Sequence, residues 1–314
     1  MATYTAHSAI GQREDLTDVI YDISPTETPF MSSIGKSKAS AVYHEWQTDN
    51  LAAATTANAA VEGADASDAT LSPTVRLGNY TQILQKTIKV SGTLDTVNKA
   101  GRKSEKAYQL AKASQEIKRD LETILLSNQG RSAGDGSTAR KMGSLLSWIK
   151  TNSSAQTNGG DPTTIGVSTR TDGNTRTFTE ALLKEVVAEV FVSGGSPKVL
   201  MVGATGKQKV SSFTGIAETR FNVTGAAPST IIGAADIYVS DFGNMSVVPN
   251  RFMRTRDALI LDPEYAAIAY LRPFQTNELA KAGDADKTQI LVECTLEVKN
   301  EAAHGIIADL NMAL

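Results

Sequence analysis

The stretch with the most chemical promise is GATGKQ, residues 203–208. It follows the apolar run PKVLMVG and opens a helical pattern, which is the setting of a phosphate-binding loop. That motif requires a glycine five residues before Gly206, where Met201 stands. It also requires Ser or Thr after Lys207 to hold magnesium, where Gln208 stands. The plainer reading is a tight strand-to-helix turn in which glycine is sterically convenient. His7, His44 and His304 lie far apart and show no metal-ligand spacing. Cys294 is the only cysteine, which excludes an intrachain disulfide and a cysteine-rich metal site. It alternates within a strand pattern and reads as a small buried apolar side chain rather than a nucleophile. There is no Gly-x-Ser-x-Gly elbow, and the carboxylates show no pattern that places two at acid/base distance. No residue is therefore assigned a catalytic, cofactor-binding or metal role, and the chain does not read as an enzyme.

The 314 residues can bury one large core or two small ones. No apolar run reaches the length of a membrane span, and the start, MATYTAHSAIGQRED, lacks the pattern of a secretory signal. One cysteine fits synthesis in a reducing cytoplasm. Net charge is −3, which argues against a dedicated nucleic-acid binder. The charge is unevenly spread. Residues 1–75 hold three Lys/Arg against ten Asp/Glu, and residues 76–150 hold fourteen against six. A lone globule has no need of that split, whereas a chain that touches other copies could use it for register.

The elements that would carry these groups reach outward. Ser24-Pro25-Thr26-Glu27 reads as a capping box, and Thr28-Pro29 repeats the cap signal within ISPTETPFMSSIG, residues 23–35. Phe30, Met31 and Ile34 follow, with Gly35 as a helix end. This arm has too little apolar surface for a core of its own; the alternative is a helix docked on its own domain. YHEWQT within residues 40–48 alternates as a strand, and residues 79–90 read as its return strand around the long polar tip 51–70. Residues 102–127 give the strongest helix signal, with a narrow stripe through Ala107, Leu110, Ser114, Ile117, Leu121 and Ile124. Its basic residues are either a solvated face or a phosphate-contacting one. Residues 129–177 read as loops around the apolar island Leu145, Leu146, Trp148 and Ile149. A βα-rich block follows: a helix over 178–194, a strand over 197–203, a helix from Ala204, and a strand pair over 235–250 turning at Gly243. Residues 258–273 and 289–300 read as two long strands joined by the polar connection NELAKAGDADK.

With ISPTETPFMSSIG and YHEWQTD in place, and with VSGTLDTVNKAGRKSEKAYQLAKASQEIKRDLE, DIYVSDFGNMSVVPNRFMR, LDPEYAAIAYLRPFQTNELAKAGD and LEVKNEAAHGIIADL further on, the chain resembles the major capsid proteins of tailed bacteriophages. These runs span nearly the whole length. The resemblance implies an α+β fold of the Hong Kong 97 type. Residues 1–39 would be an N-terminal arm and 40–92 the extended E-loop hairpin. Residues 93–177 would be the peripheral domain's spine helix and following loops, 178–245 the compact axial domain, and 246–314 peripheral-domain strands returning toward the axial domain.

The resemblance also implies a function. Copies would form pentamers and hexamers that close into an icosahedral shell around double-stranded DNA, as a virion component assembled in the bacterial cytoplasm. The arm (Pro25, Pro29, Phe30, Met31, Ile34) and the E-loop (Glu45, Trp46, Asp49, Glu62, Asp65, Asp68) would lie on neighbours. The basic face of the spine helix is Arg102, Lys103, Lys106, Lys112, Lys118 and Arg119. Portal and scaffolding proteins are expected partners, cement proteins are possible ones, the DNA would be touched without sequence preference, and no membrane or cofactor is expected. Because the arm starts close to Met1, a separate scaffolding protein is expected rather than a cleaved leader. No site for a covalent lysine–asparagine link is matched. The alternatives are an encapsulin-type nanocompartment shell and, at a distance, a nucleotide-binding enzyme resting on GATGKQ alone.

Overall fold

The computed structural model describes residues 27–63, 65, 68–69, 71–97, 104–213, 236–281 and 283–312. Pro29 sits at the first position of a single helical turn, α1 (Pro29–Ser33), and holds Thr28 outside helical geometry at φ −124°. The chain then becomes extended at Ile34. Gly35 is therefore no helix end: it opens β1 (Gly35–Lys38), which pairs in parallel with β11 (Ala266–Leu279).

β11 and β12 (Ala285–Val298) form a long antiparallel pair, and β4 (Gln82–Ser91) adds to the far side of β12. The sheet order is β1-β11-β12-β4. β12 spans roughly 45 Å at about 3.3 Å per residue. β11 is irregular between Tyr270 and Gln275, where Pro273 cannot donate to the ladder. The spine helix, α3 (Glu105–Leu125), lies against β4 and β12. It starts at Ser104, whose hydroxyl accepts the Ala107 N–H, and runs about 31 Å at 1.5 Å per residue. Ala113, Ile117, Leu121 and Leu125 face the core; Leu110 and Ile124 are half-buried, and Ala107 is exposed.

The second sheet has the order β5-β13-β10-β7-β9-β8. Its strands are β5 (Ser153–Ser154), β7 (Val199–Val202), β8 (Ile237–Ser240), β9 (Gly243–Pro249), β10 (Ala258–Leu261) and β13 (Gly305–Ile307). Strict alternation lets it serve two cores. Leu200, Val202, Ala258, Ile260 and Ile307 meet α5 (Glu180–Val192) and α6 (Ala204–Ser211) on one face. Met201, Leu259, Leu261 and Ile306 on the other face join the core under the spine helix. Gly194, at φ +88°, ends α5 in a conformation open to glycine. The island Leu145, Leu146, Trp148 and Ile149 is fully buried around the short helix α4 (Leu145–Trp148), inside an otherwise irregular stretch.

Three boundaries differ from the sequence expectation. The hairpin is β2 (Tyr43–Thr48) with β3 (Val75–Tyr80), so residues 82–91 are not its return strand but part of the long sheet. The apolar run 258–273 is two strands in two sheets, broken by a turn at Pro263–Tyr265 whose cap is the Asp262 carboxylate. β9 and β10 therefore lie in the six-stranded sheet and not with the long strands β11 and β12. The connection between β11 and β12 is also shorter than expected, because pairing extends to Leu279 and resumes by Lys287.

Candidate assembly surfaces

The hairpin is rooted firmly and ends freely. At its root Trp46 packs on Trp148 with ring centroids 5.3 Å apart. Asn79 is buried; its Nδ2 donates to the carbonyls of Gly143 (3.0 Å) and Leu296 (2.8 Å), and its Oδ1 accepts the Gly143 N–H. Arg131 donates to the Gly78 carbonyl and lies over the Tyr43 ring. Gly78 is there because a Cβ would come within 2.8 Å of the Tyr43 ring. Beyond Thr48 the chain stays outside: Leu51 is 99% exposed, Val61 80% and Leu71 88%. Asp49, Glu62, Asp65 and Asp68 are exposed with them. Glu45 is spent locally on Arg76 across the hairpin (3.1 Å). Trp46 is half-buried against its own chain at the hairpin root.

The arm needs a similar correction. Phe30 is 0% exposed and Ile34 is buried, both within the core of this same chain. The premise that this segment lacks a core is therefore overturned, and docking on its own domain is what residues 28–34 do. Truncating a buried Phe costs about 3–5 kcal/mol, so these side chains hold the fold before they hold any neighbour. Met31 is half-buried beside a groove of about 610 Å³ that also involves Lys36, Lys118, Tyr270 and Phe274. Pro25 lies outside the described residues.

On the spine helix, Arg102 and Lys103 also lie outside the described residues. Lys106 pairs with Glu278 at 2.8 Å, and that carboxylate raises its pKa. Arg119 sits 5.6 Å over the Phe252 ring. Lys112 and Lys118 are exposed and form no ion pair among the described residues. Among the described residues, the basic face thus divides into Lys106 and Arg119, which are engaged within the chain, and Lys112 and Lys118, which form no ion pair.

The groups with catalytic promise are engaged in structure. Lys207 donates to Asp236 Oδ1 (3.0 Å) and to the Val247 carbonyl (2.6 Å), clamping α6 to β9. Gly206 is packed against Val202 and Met312, where a Cβ would sit at 3.0 Å from each. Cys294 is fully buried in β12, and burial pushes its thiol up to about 12. His304 is buried, and desolvation pulls its pKa down to about 4, while its Nδ1 accepts the Asp262 N–H. His44 lies 3.2 Å from Glu297.

Sequence patterns missed three residues that organise these surfaces: Asn79, Arg131 and Glu122. Glu122 is fully buried on α3 and accepts backbone N–H groups from Phe30 (2.7 Å) and Met31 (2.9 Å). Its only signal is position, one residue beyond Leu121 of the apolar stripe.

A long sheet crossed by a spine helix, a second sheet sharing its core and a hairpin that leaves the body define a shell-forming capsid subunit of the Hong Kong 97 type. The capsid asymmetric unit of cyanophage A-1(L) has this fold, with a TM-score of 0.69 at 11% identity over 98% of each chain. The holo-SrpI encapsulin complex from Synechococcus elongatus PCC 7942 shares it at a TM-score of 0.57 and 10% identity, over 100% of this chain and 98% of that one. The family model described as SU10 major capsid protein matches residues 2–311, and the chain belongs to that family. The major capsid protein of Escherichia phage Phieco32 is 28% identical over 344 residues, which covers 97% of this chain and 96% of its own. The chain's role is structural, in the shell of the virion.

Proposed function

We propose that copies of this chain assemble as pentamers and hexamers into a closed icosahedral shell around double-stranded DNA, with no catalytic step of their own. The observation that supports this most is the loop after β2, which carries Leu51, Val61 and Leu71 almost fully exposed on a firmly rooted hairpin. Exposed apolar side chains on a built projection mark a contact surface. In this reading the loop lies on a neighbouring copy, and its acidic members Asp49, Glu62, Asp65 and Asp68 meet the unpaired lysines Lys112 and Lys118 of that copy. The arm contacts a neighbouring copy as well. Portal and scaffolding proteins complete the head, and the DNA is held through nonspecific charge.

The second reading, a nanocompartment shell, is favoured by the likeness to an encapsulin. Nuclease treatment of purified particles separates the two. A phage head protects double-stranded DNA of one length, and its gene lies beside portal and terminase genes. Particles that protect no DNA and carry an enzyme instead would establish the nanocompartment reading.

A further inference from the structure

Glu122 is an expensive residue where it stands. It is fully buried, and no ion pair of Glu122 occurs among the described residues. Lys118 and Arg119 on its own helix and Arg251, next to Asn250, are absent from its hydrogen bonds, and Arg119 lies over the Phe252 ring. Its partners are instead three N–H donors from two other segments. Oε1 accepts from the Phe30 N–H and from Asn250 Nδ2, each at 2.7 Å, and Oε2 accepts from the Met31 N–H at 2.9 Å. Thr28, the residue placed to cap α1, makes no side-chain cap, so the spine helix supplies those contacts from 92 residues away. Asn250 is itself buried, and its backbone N–H donates to the Val202 carbonyl at 2.8 Å, so it belongs to the second sheet.

We propose that Glu122 is a positioning residue, a lock that fixes the arm's last turn and the end of β9 to the spine helix, and that shell closure depends on it. The proposal rests on the arm reaching a neighbour. A buried charge without a cation is costly, but an apolar side chain here would leave three buried N–H donors without an acceptor. What the carboxylate provides is direction. All three donors need acceptor lone pairs, and only an ionised carboxylate offers acceptors at both oxygens with no proton between them. The arm's exit angle and the seating of the second sheet are then set by one group, so a copy whose arm is not latched also has a loosely seated sheet. Desolvation raises the Glu122 pKa against the pull of these three bonds. Ionisation is thus disfavoured relative to the protonated form: the group's contribution to stability is fullest below the ordinary carboxylate pKa and declines as pH rises through the raised value.

The test is hydrogen exchange and electron microscopy on the full chain. In the native protein the amides of Phe30, Met31, Ser32 and Ile34 should be protected on the timescale of the spine helix; rapid exchange there would overturn the lock. In Glu122→Gln the amide oxygen still serves Phe30 and Asn250, but an NH₂ group faces Met31. Exchange at Met31 should rise by up to about tenfold, the equivalent of one hydrogen bond, and closed shells should become fewer while Tm falls by no more than that one bond accounts for. A normal shell yield from Glu122→Gln overturns the proposal. A fall in Tm well beyond that of one hydrogen bond, accompanying the loss of shells, also overturns it, because Glu122 is then an ordinary core residue. Deleting residues 1–26 separates this from the arm reading. If that chain closes shells normally, the arm reading fails and the lock with it; if it does not while Glu122→Gln does, the lock alone fails.

Discussion

At the scale of single residues, buried charges carry much of the specificity in this subunit. Glu293 is buried between Arg140 (2.6 Å) and Arg272 (2.7 Å) and accepts the Thr81 hydroxyl, which ties the hairpin root to the β11 irregularity. Asp257 is a different case. It is 2% exposed and lies 3.3 Å from Arg254, yet desolvation outweighs that attraction and pushes its pKa up to about 6. The ion pair and the raised pKa point in opposite directions. Burial decides, because Arg254 is already held by both oxygens of Asp172 at 2.6 Å. A folded-state pKa above the unfolded value means stability that is complete below about pH 4 and is lost as pH rises through about 6. Asp257→Asn should therefore raise stability at pH 7.5 by on the order of 1–2 kcal/mol and flatten the pH dependence between those limits. Urea denaturation of the unassembled chain at pH 4.5 and pH 7.5 reads both effects. A variant less stable than the parent at pH 7.5 would show that the Arg254 pair prevails.

At the scale of elements, the hairpin is an anchored base with a free end, and the two should respond differently to substitution. Replacing Leu51, Val61 and Leu71 together by Ser touches no core contact of this chain. Tm should stay within the small range of surface changes, while the yield of closed particles should drop sharply. Unchanged particle yield would remove the loop from assembly. Alternation in YHEWQT announced the hairpin, but its return strand was hidden. VRLGNY breaks the apolar pattern with Gly78, which must clear the Tyr43 ring, and with Asn79, which on the other face bonds the Gly143 and Leu296 carbonyls rather than a plain core. The better alternation, in QILQKTIKVS, belongs to the neighbouring sheet. β1 had no readable signal, since GKSK pairs through its backbone on an edge and buries little. The break at Asp262-Pro263 lay inside one apolar run, and only the proline marked it. The spine helix and α5 were plain, because a long 3.6-residue period survives whatever they pack against. Glu122 and Asn250 meet only in the folded chain, 128 residues apart, and no local pattern announces such a pair.

At the scale of the whole molecule, the proposed assembly brings the acidic loop of one copy to Lys112 and Lys118 of another. Each exposed pair is worth about 0–1 kcal/mol, so the effect is collective and acts on encounter. At 1 M salt screening shortens to about 3 Å. Initial assembly, followed by light scattering, should slow as salt rises, while formed shells persist on their apolar contacts. Changing Lys112 and Lys118 to Glu should slow empty-shell assembly, and Asp65 and Asp68 to Lys should partly restore it. Normal empty shells with defects only in DNA-filled particles would instead turn this face toward the genome.

The claim beneath all of this is that the chain closes into a shell through its hairpin and arm. A cryo-electron microscopy reconstruction of the particles it forms, expressed alone and with its neighbouring head genes, tests that most directly. The account predicts icosahedral particles of pentamers and hexamers in which the 49–74 loop of each copy lies on the spine-helix face of the next. A chain that stays monomeric in both settings, or closed particles in which that loop touches only its own subunit, would contradict it.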